Sequence, residues 1–161
     1  MDNFFEQRFE NLSFAPGVFK KGEYEDCVFL NCDFTAADIT EVLFLNCEFN
    51  ACNLSNVHLT RTAFRNVHFT DCKLIGLRFE YCNDFLFEVK FTRCNLDFSS
   101  FFKRKLKNTN FSSCSLQEVE FGEADLTGVQ FEQCDLNRAV FEQTILEKAD
   151  FRTARNFTIQ P

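Results

Sequence analysis

The chain has no tryptophan, one methionine, two prolines and five glycines among its 161 residues. Glycine and proline at that level exclude a collagen-like or linker-like chain. No stretch approaches 18 consecutive apolar residues, so the sequence contains no apolar membrane-spanning helix. The opening "MDNFFEQRFENL" has no basic segment followed by an apolar one, the pattern of an export signal, and the expectation is a cytoplasmic protein away from the membrane. Gly-rich phosphate loops, nucleophile elbows and paired-histidine metal helices are also missing. Lys and Arg are absent from residues 22 to 50, which carry Glu23, Glu25, Asp26, Asp33, Asp38, Glu41 and Glu48.

What is abundant is phenylalanine, 24 residues of it, placed with a period of five. From Phe4 every fifth residue is apolar: Phe9, Phe14, Phe19, Tyr24, Phe29, Phe34, Ile39, Phe44, Phe49, Leu54, Leu59, Phe64, Phe69, Leu74 and Phe79. The frame fails at Asp84, resumes at Leu86 and continues through Phe91, Leu96 and Phe101 to Phe151. Neither a 3.6-residue helix nor a two-residue strand alternation produces that spacing. A coil with flat sides does, if each five-residue unit forms one side with its central residue inward and successive turns stack through parallel ladder bonds. Two residues before each centre stands a small residue, as at Cys27, Ala37, Val42, Val89 and Ala124, and eight of the nine cysteines fall there.

The units "ADI" (37–39), "CNL" (52–54 and 94–96), "ADL" (124–126), "CDL" (134–136) and "ADF" (149–151) carry a resemblance to the pentapeptide-repeat proteins over roughly residues 4 to 153. That resemblance implies an all-β fold, a right-handed quadrilateral parallel β-helix with four units per coil. The expectation is one domain over 1–161 of about eight coils, with a two-residue insertion near Asp84 and Phe85 and a short tail at 154–161. Four units per coil put residues twenty apart on one side, and one side reads Phe9, Phe29, Phe49, Phe69, Phe91, Phe111, Phe131, Phe151 when the interruption costs no unit. The next side is Phe14 and Phe34 followed by Leu54, Leu74, Leu96, Leu116 and Leu136.

In this frame Cys32, Cys52, Cys72, Cys94, Cys114 and Cys134 stack one per coil, roughly 4.8 Å apart. They read as small buried side chains. A line of ligands does not converge tetrahedrally on zinc, and parallel side-chain vectors suit a disulfide poorly. Cys82, beside the insertion, is the candidate reactive thiol, with ordinary packing as the alternative. His58 and His68 each precede a centre and point outward on different sides, so they form no acid–base pair within one chain. The reading is a non-enzyme with no cofactor, metal or catalytic residue.

Charge is the informative surface feature. Residues 118 to 147 carry Glu118, Glu120, Glu123, Asp125, Glu132, Asp135, Glu142 and Glu147 against a single basic residue before Glu147, Arg138. Between the two acidic blocks lies a basic girdle of Arg61, Arg65, Lys73, Arg78, Lys90, Arg93, Lys103, Arg104, Lys105 and Lys107. Arg104 falls on a small inward position, where an unpaired guanidinium costs several kcal/mol. The expectation is a distorted corner that turns Arg104 outward, with Phe102 exposed beside it.

Among the pentapeptide-repeat proteins, the quinolone-resistance (Qnr-type) and microcin-immunity proteins are acidic rods associated with DNA gyrase and topoisomerase IV. The resemblance therefore implies a protein partner of that class, engaged by mimicry of duplex DNA. Direct nucleic-acid binding is not expected at a net charge of −7. The candidate contacts are Glu118, Glu120, Glu123, Asp125, Glu132 and Asp135 for the mimic, and Lys103, Arg104 and Lys105 for the alternative, a generic interaction scaffold. An uncapped last coil would expose strand edges, which leads to the expectation of a homodimer through the C-terminal end.

Overall fold

A computed structural model of the chain describes residues 2–107 and 109–159. Its strands are short and all pair in parallel. One sheet stacks β1 (Asp2–Phe5), β3 (Gly22–Glu25), β5 (Leu43–Leu45) and β7 (Ala63–Arg65). The second runs β2 (Arg8–Glu10), β4 (Val28–Leu30), β6 (Glu48–Asn50), β8 (Val67–Thr70), β9 (Val89–Thr92), β10 (Asn110–Ser112) and β11 (Gln130–Glu132). Two further sides are held by isolated parallel bridges, Ser13–Asp33–Asn53–Lys73–Asn95–Ser115–Asp135–Arg155 on one and Arg78–Ser100–Glu120–Val140 on the other. Four ladders around one axis make a four-sided parallel β-solenoid.

Register is offset by twenty residues, as in Phe29 opposite Phe49, except across the insertion, where Phe69 faces Phe91, Lys73 faces Asn95 and Arg78 faces Ser100. The insertion is therefore two residues long, as the sequence indicates. The coil number is smaller than expected. The seven strands of the long sheet enclose six turns, and the last rung, Phe151, is joined to Phe131 by the single bridge Gln130–Asp150 because it no longer forms strand. The final coil is not bare: Phe157 lies over the Phe151 ring at 5.2 Å. The end of the expected tail, Gln160 and Pro161, lies outside the described residues.

The corners explain how a chain so poor in glycine can turn so often. At most corners the second residue after the centre adopts a left-handed φ, near +50° to +65° at Asn31, Ala36, Asn56, Phe98, Glu118 and Glu123. At many of these corners the N–H of the following residue donates back to the centre's carbonyl, for example Ala37 to Phe34 at 2.8 Å and Ser99 to Leu96 at 3.0 Å. This is the pattern of a type II turn, which favours Gly or Asn at its third position. A left-handed non-glycine residue costs about 1–2 kcal/mol, offset here by the ladder bonds each turn aligns. At Gly22 the requirement is strict, since a Cβ would stand 2.0 Å from the Asp2 carbonyl oxygen.

Inside, the expected aromatic ladder is present. Phe9, Phe29, Phe49, Phe69, Phe91, Phe111, Phe131 and Phe151 stack with ring centroids 4.8 to 5.4 Å apart. A second column of rings meets them edge-on, and it changes side at the insertion. It is first Phe44 and Phe64, and from Phe79, just before the break, it continues on the neighbouring side as Phe101, Phe121 and Phe141. Each coil thus keeps a stacked and a T-shaped aromatic contact, geometries worth about 0.5–1.5 kcal/mol per pair beyond burial.

The cysteines fill the space beside these rings. All nine are free and buried. Each ladder thiol donates to the carbonyl of a centre in the coil below, Cys72 to Phe49 at 3.2 Å and Cys134 to Phe111 at 3.3 Å. Thr62 and Ser99 occupy the same position and make the same bond with a hydroxyl, at 2.7 and 2.8 Å. Burial pushes the Cys47 thiol up to about 12. Cys82, the candidate reactive thiol, is likewise buried, which pushes it up to about 12, and it packs inside the coil like the others.

Candidate interaction surface

With the core filled by apolar and small side chains, chemistry is left to the outward positions, and these divide into two kinds. The residue just before a centre often carries a side-chain oxygen that accepts the backbone N–H two residues on. Asp33 accepts from Thr35 at 2.8 Å, Asn53 from Ser55 at 3.0 Å, and Asn95 from Asp97 at 2.9 Å. This bond satisfies a donor that the ladder leaves free, and it is why Asp and Asn recur there. Asp38 is held near a pKa of about 2 by the hydroxyl and N–H of Thr40, with Lys21 beside it.

Three of the six acidic contact candidates have this structural duty. Glu120 accepts from Gly122 at 2.6 Å, Asp125 from Thr127 at 3.0 Å and Asp135 from Asn137 at 3.1 Å, and all three are half-buried. Asp125 also pairs with Lys107 at 3.6 Å, and Asp135 accepts from Asn156 at 3.0 Å. The other three, Glu118, Glu123 and Glu132, are exposed and have no ion pair among the described residues. The six do not share a face. Glu118 and Glu123 sit at successive corners, Glu120 between them, Asp125 on the next side, Glu132 on the Phe-ladder side and Asp135 on the Leu side. They ring the end of the rod.

The basic girdle is likewise sorted by its partners. Arg61 pairs with Glu41, Arg93 with Asp71 at 2.8 Å, and Arg78 with Glu80 at 3.6 Å. Lys103 and Lys105 are exposed and pair with no carboxylate among the described residues, while Arg65 lies over the Phe85 ring at 5.0 Å. Phe102 is half-buried, with Lys103 over its ring at 5.4 Å.

Arg104 overturns its expectation. Its corner is regular, with the Arg104 N–H donating to the Phe101 carbonyl at 2.9 Å, and its side chain points inward with 9% exposure. The insertion makes this feasible. In the coils below, a backbone N–H reaches the carbonyl of the equivalent position, Ala63 to Val42 and Asn83 to Thr62. Above the insertion Arg104 supplies that donor itself, Nη2 reaching the Cys82 carbonyl at 2.8 Å and the Glu80 carbonyl at 3.0 Å, with the guanidinium 5.2 Å from the Phe87 ring. The Arg104 side chain therefore plugs this corner from within, at the floor of a hollow beside the insertion.

At the break itself Phe87, not Leu86, takes the inward place, and the frame is regular again from Phe91. Phe87 packs on the core against Phe79 at 6.5 Å, while Leu86 takes a left-handed φ and is 64% exposed. The exposure of Phe85 and Leu86 was not read from the sequence, and the failure of the five-residue frame at Asp84 was its signal. His68 bonds the Thr92 hydroxyl at 3.0 Å. Among the described residues no group of His, Cys, Asp and Glu converges as metal ligands, and no helix is long and apolar enough to cross a membrane.

The family model described as pentapeptide repeats (8 copies) matches residues 47–83, and that of the pentapeptide repeat region matches residues 84–155, so the two matches meet at the insertion. Among solved structures, full-length QnrB1, described as a plasmid-mediated fluoroquinolone resistance protein, is 15% identical over 96% of this chain and 86% of its own, with a TM-score of 0.47. HetL, a pentapeptide repeat protein involved in heterocyst differentiation regulation from the cyanobacterium Nostoc, is 14% identical over 94% of this chain and 88% of its own, with a TM-score of 0.44. No curated protein sequence matches the chain.

Proposed function

The chain belongs to the pentapeptide-repeat family, and from that premise we propose that it is a non-enzymatic, cytoplasmic protein-binding rod whose acidic last coils engage a surface built for duplex DNA, that of gyrase or topoisomerase IV. The observation that carries this reading is the division of labour between core and surface. The rings and thiols are buried and the turn-capping carboxylates are committed, which leaves Glu118, Glu123 and Glu132, with Glu142 and Glu147, as solvated charges on a rigid repeat. Carboxylates that ring the rod suit mimicry of a duplex, whose phosphates also wind around an axis. Eight rungs span about 34 Å, over which duplex DNA presents roughly 20 charges, so a net −7 supports a contact confined to one end.

The generic-scaffold reading is favoured by a different observation, the unpaired Lys103 and Lys105 beside the insertion. Binding to purified gyrase, with linear duplex DNA as competitor, separates the two. The mimic predicts binding that DNA displaces and that Glu118→Lys, Glu123→Lys and Glu132→Lys together abolish, while the turn caps Glu120, Asp125 and Asp135 are left intact. Binding that survives those reversals excludes the acidic coils. A homodimer through the C-terminal coil belongs to the same proposal, supported by the 40% exposure of Phe157 and Ile159, and a monomer in sedimentation velocity would remove it.

A further inference from the structure

The positive island at the insertion has a shape as well as a charge. Residues 83–87 project from the side that carries β7, and Phe85 and Leu86, adjacent in sequence, are 61% and 64% exposed. Two hollows flank them. One, about 280 Å³, is lined by Asp84, Leu86, Phe87, Lys103, Arg104 and Lys105, and the other, about 400 Å³, includes Leu45, Arg65, Leu86, Phe87 and Lys107. Leu86 and Phe87 wall both, so apolar surface and cations alternate across the patch. Around this loop Arg65, Lys103, Arg104, Lys105 and Lys107 outnumber Asp84 and Glu88, and among the described residues only Lys107 of these cations is paired with a carboxylate. Arg104 adds an independent observation: its Nη2 is bonded twice, but its Nη1 is buried with no acceptor.

We propose that this corner is the docking site for a short acidic segment of a partner protein, one that carries carboxylates beside large apolar side chains. The apolar groups cover Phe85 and Leu86, and the carboxylates pair with Lys103 and Lys105. The inference rests on the reading of the chain as a protein-binding rod, but on a surface separate from the acidic coils. The size of the island selects a short segment over a nucleic acid. Arg65 and Lys105 stand two rungs apart, about 10 Å, and the coils beyond on both sides are acidic, so a longer polyanion would run onto repelling charge. Exposed aromatic and aliphatic side chains ringed by unpaired cations match a partner that is apolar and acidic in the same few residues.

The test is a selection from a random 12-residue peptide library displayed on phage, panned on the full chain and counter-panned on the double variant Lys103→Glu, Lys105→Glu. Glutamate is already found at equivalent left-handed corners, Glu118 and Glu123, so the Lys103 substitution keeps the turn. Circular dichroism verifies both variants. The expected result is enrichment of peptides with Asp or Glu beside Leu, Ile or Phe. A fluorescein-labelled member should bind the charge-reversed protein at least tenfold more weakly, and Phe85→Ser, Leu86→Ser likewise, while Glu118→Lys, Glu123→Lys leaves its affinity unchanged. No enrichment over the charge-reversed protein, or affinity indifferent to both corner variants, overturns the proposal. A labelled twelve-residue oligothymidylate that binds more tightly than the selected peptides also overturns it, in favour of a nucleic acid. Because gyrase binding reads Glu118, Glu123 and Glu132, either reading can fail without the other.

Discussion

Replacing Phe111 by alanine removes the middle of the aromatic ladder. Its ring is fully buried, stacked between Phe91 at 5.3 Å and Phe131 at 5.4 Å, and met edge-on by Phe101 at 5.8 Å and Phe121 at 6.1 Å. Truncation of a buried Phe costs about 3–5 kcal/mol, and four aromatic contacts place this one at about 4–5 kcal/mol. Phe9, at the first rung, has one stacked neighbour, Phe29 at 4.9 Å, and is only half-buried, so the same substitution there should cost about half as much, near 2 kcal/mol. The chain has no tryptophan, so unfolding in guanidinium chloride is best followed by far-ultraviolet circular dichroism. In a solenoid each coil touches only its neighbours, so Phe111→Ala should also lower the slope of the transition as the two ends begin to unfold separately. Equal losses for the two variants, or less than about 2 kcal/mol for Phe111→Ala, would refute the argument that stacked rungs hold the coil together.

Cys114→Ser should change stability by less than about 1 kcal/mol, because the hydroxyl can take over the bond to the Phe91 carbonyl as Ser99 does to Leu74. Because all nine thiols are buried, none should react with Ellman's reagent in the folded protein at pH 8, and fast labelling of even one would contradict that burial. Stability should fall at both ends of the pH scale. Asp38 and Asp150 are depressed to about 2, by Thr40 and by Arg152, so their contribution is present above the ordinary carboxylate value near 3.9 and is lost as pH falls toward 2. Cys47 and Cys82 are raised to about 12 by burial, so their contribution is present below the ordinary thiol value near 8.5 and is lost as pH rises toward 12. A midpoint for denaturation that stays constant from pH 2 to 5 would contradict the first, and one constant from pH 8 to 11 the second. Phe98→Asn should raise stability by up to about 1 kcal/mol, since Phe98 is exposed and holds a left-handed φ that Asn tolerates better.

The five-residue period made the fold legible because every inward position repeats the same demand, a large apolar centre and a small neighbour. The aromatic ladder, the thiol positions and the length of the insertion could all be read that way. Arg104 could not, since its environment depends on what the insertion removes from the coil below, a vacancy in the backbone bonding that no local pattern displays. The same holds for Phe87, which takes the inward place that spacing assigns to Leu86. The duties of Glu120, Asp125 and Asp135 were written in the sequence as the Asp/Asn of the repeat, but a count of charges treats a turn cap and a free carboxylate alike. Only hydrogen-bond geometry separates them from Glu118, Glu123 and Glu132.

The functional claim is tested most directly by supercoiling of relaxed plasmid by purified bacterial gyrase, titrated with this protein in the presence and absence of a fluoroquinolone. Inhibition or drug protection by the folded chain, lost on joint reversal of Glu118, Glu123 and Glu132, is the predicted result. Supercoiling unchanged by folded protein up to tens of micromolar, with and without the drug, would contradict it.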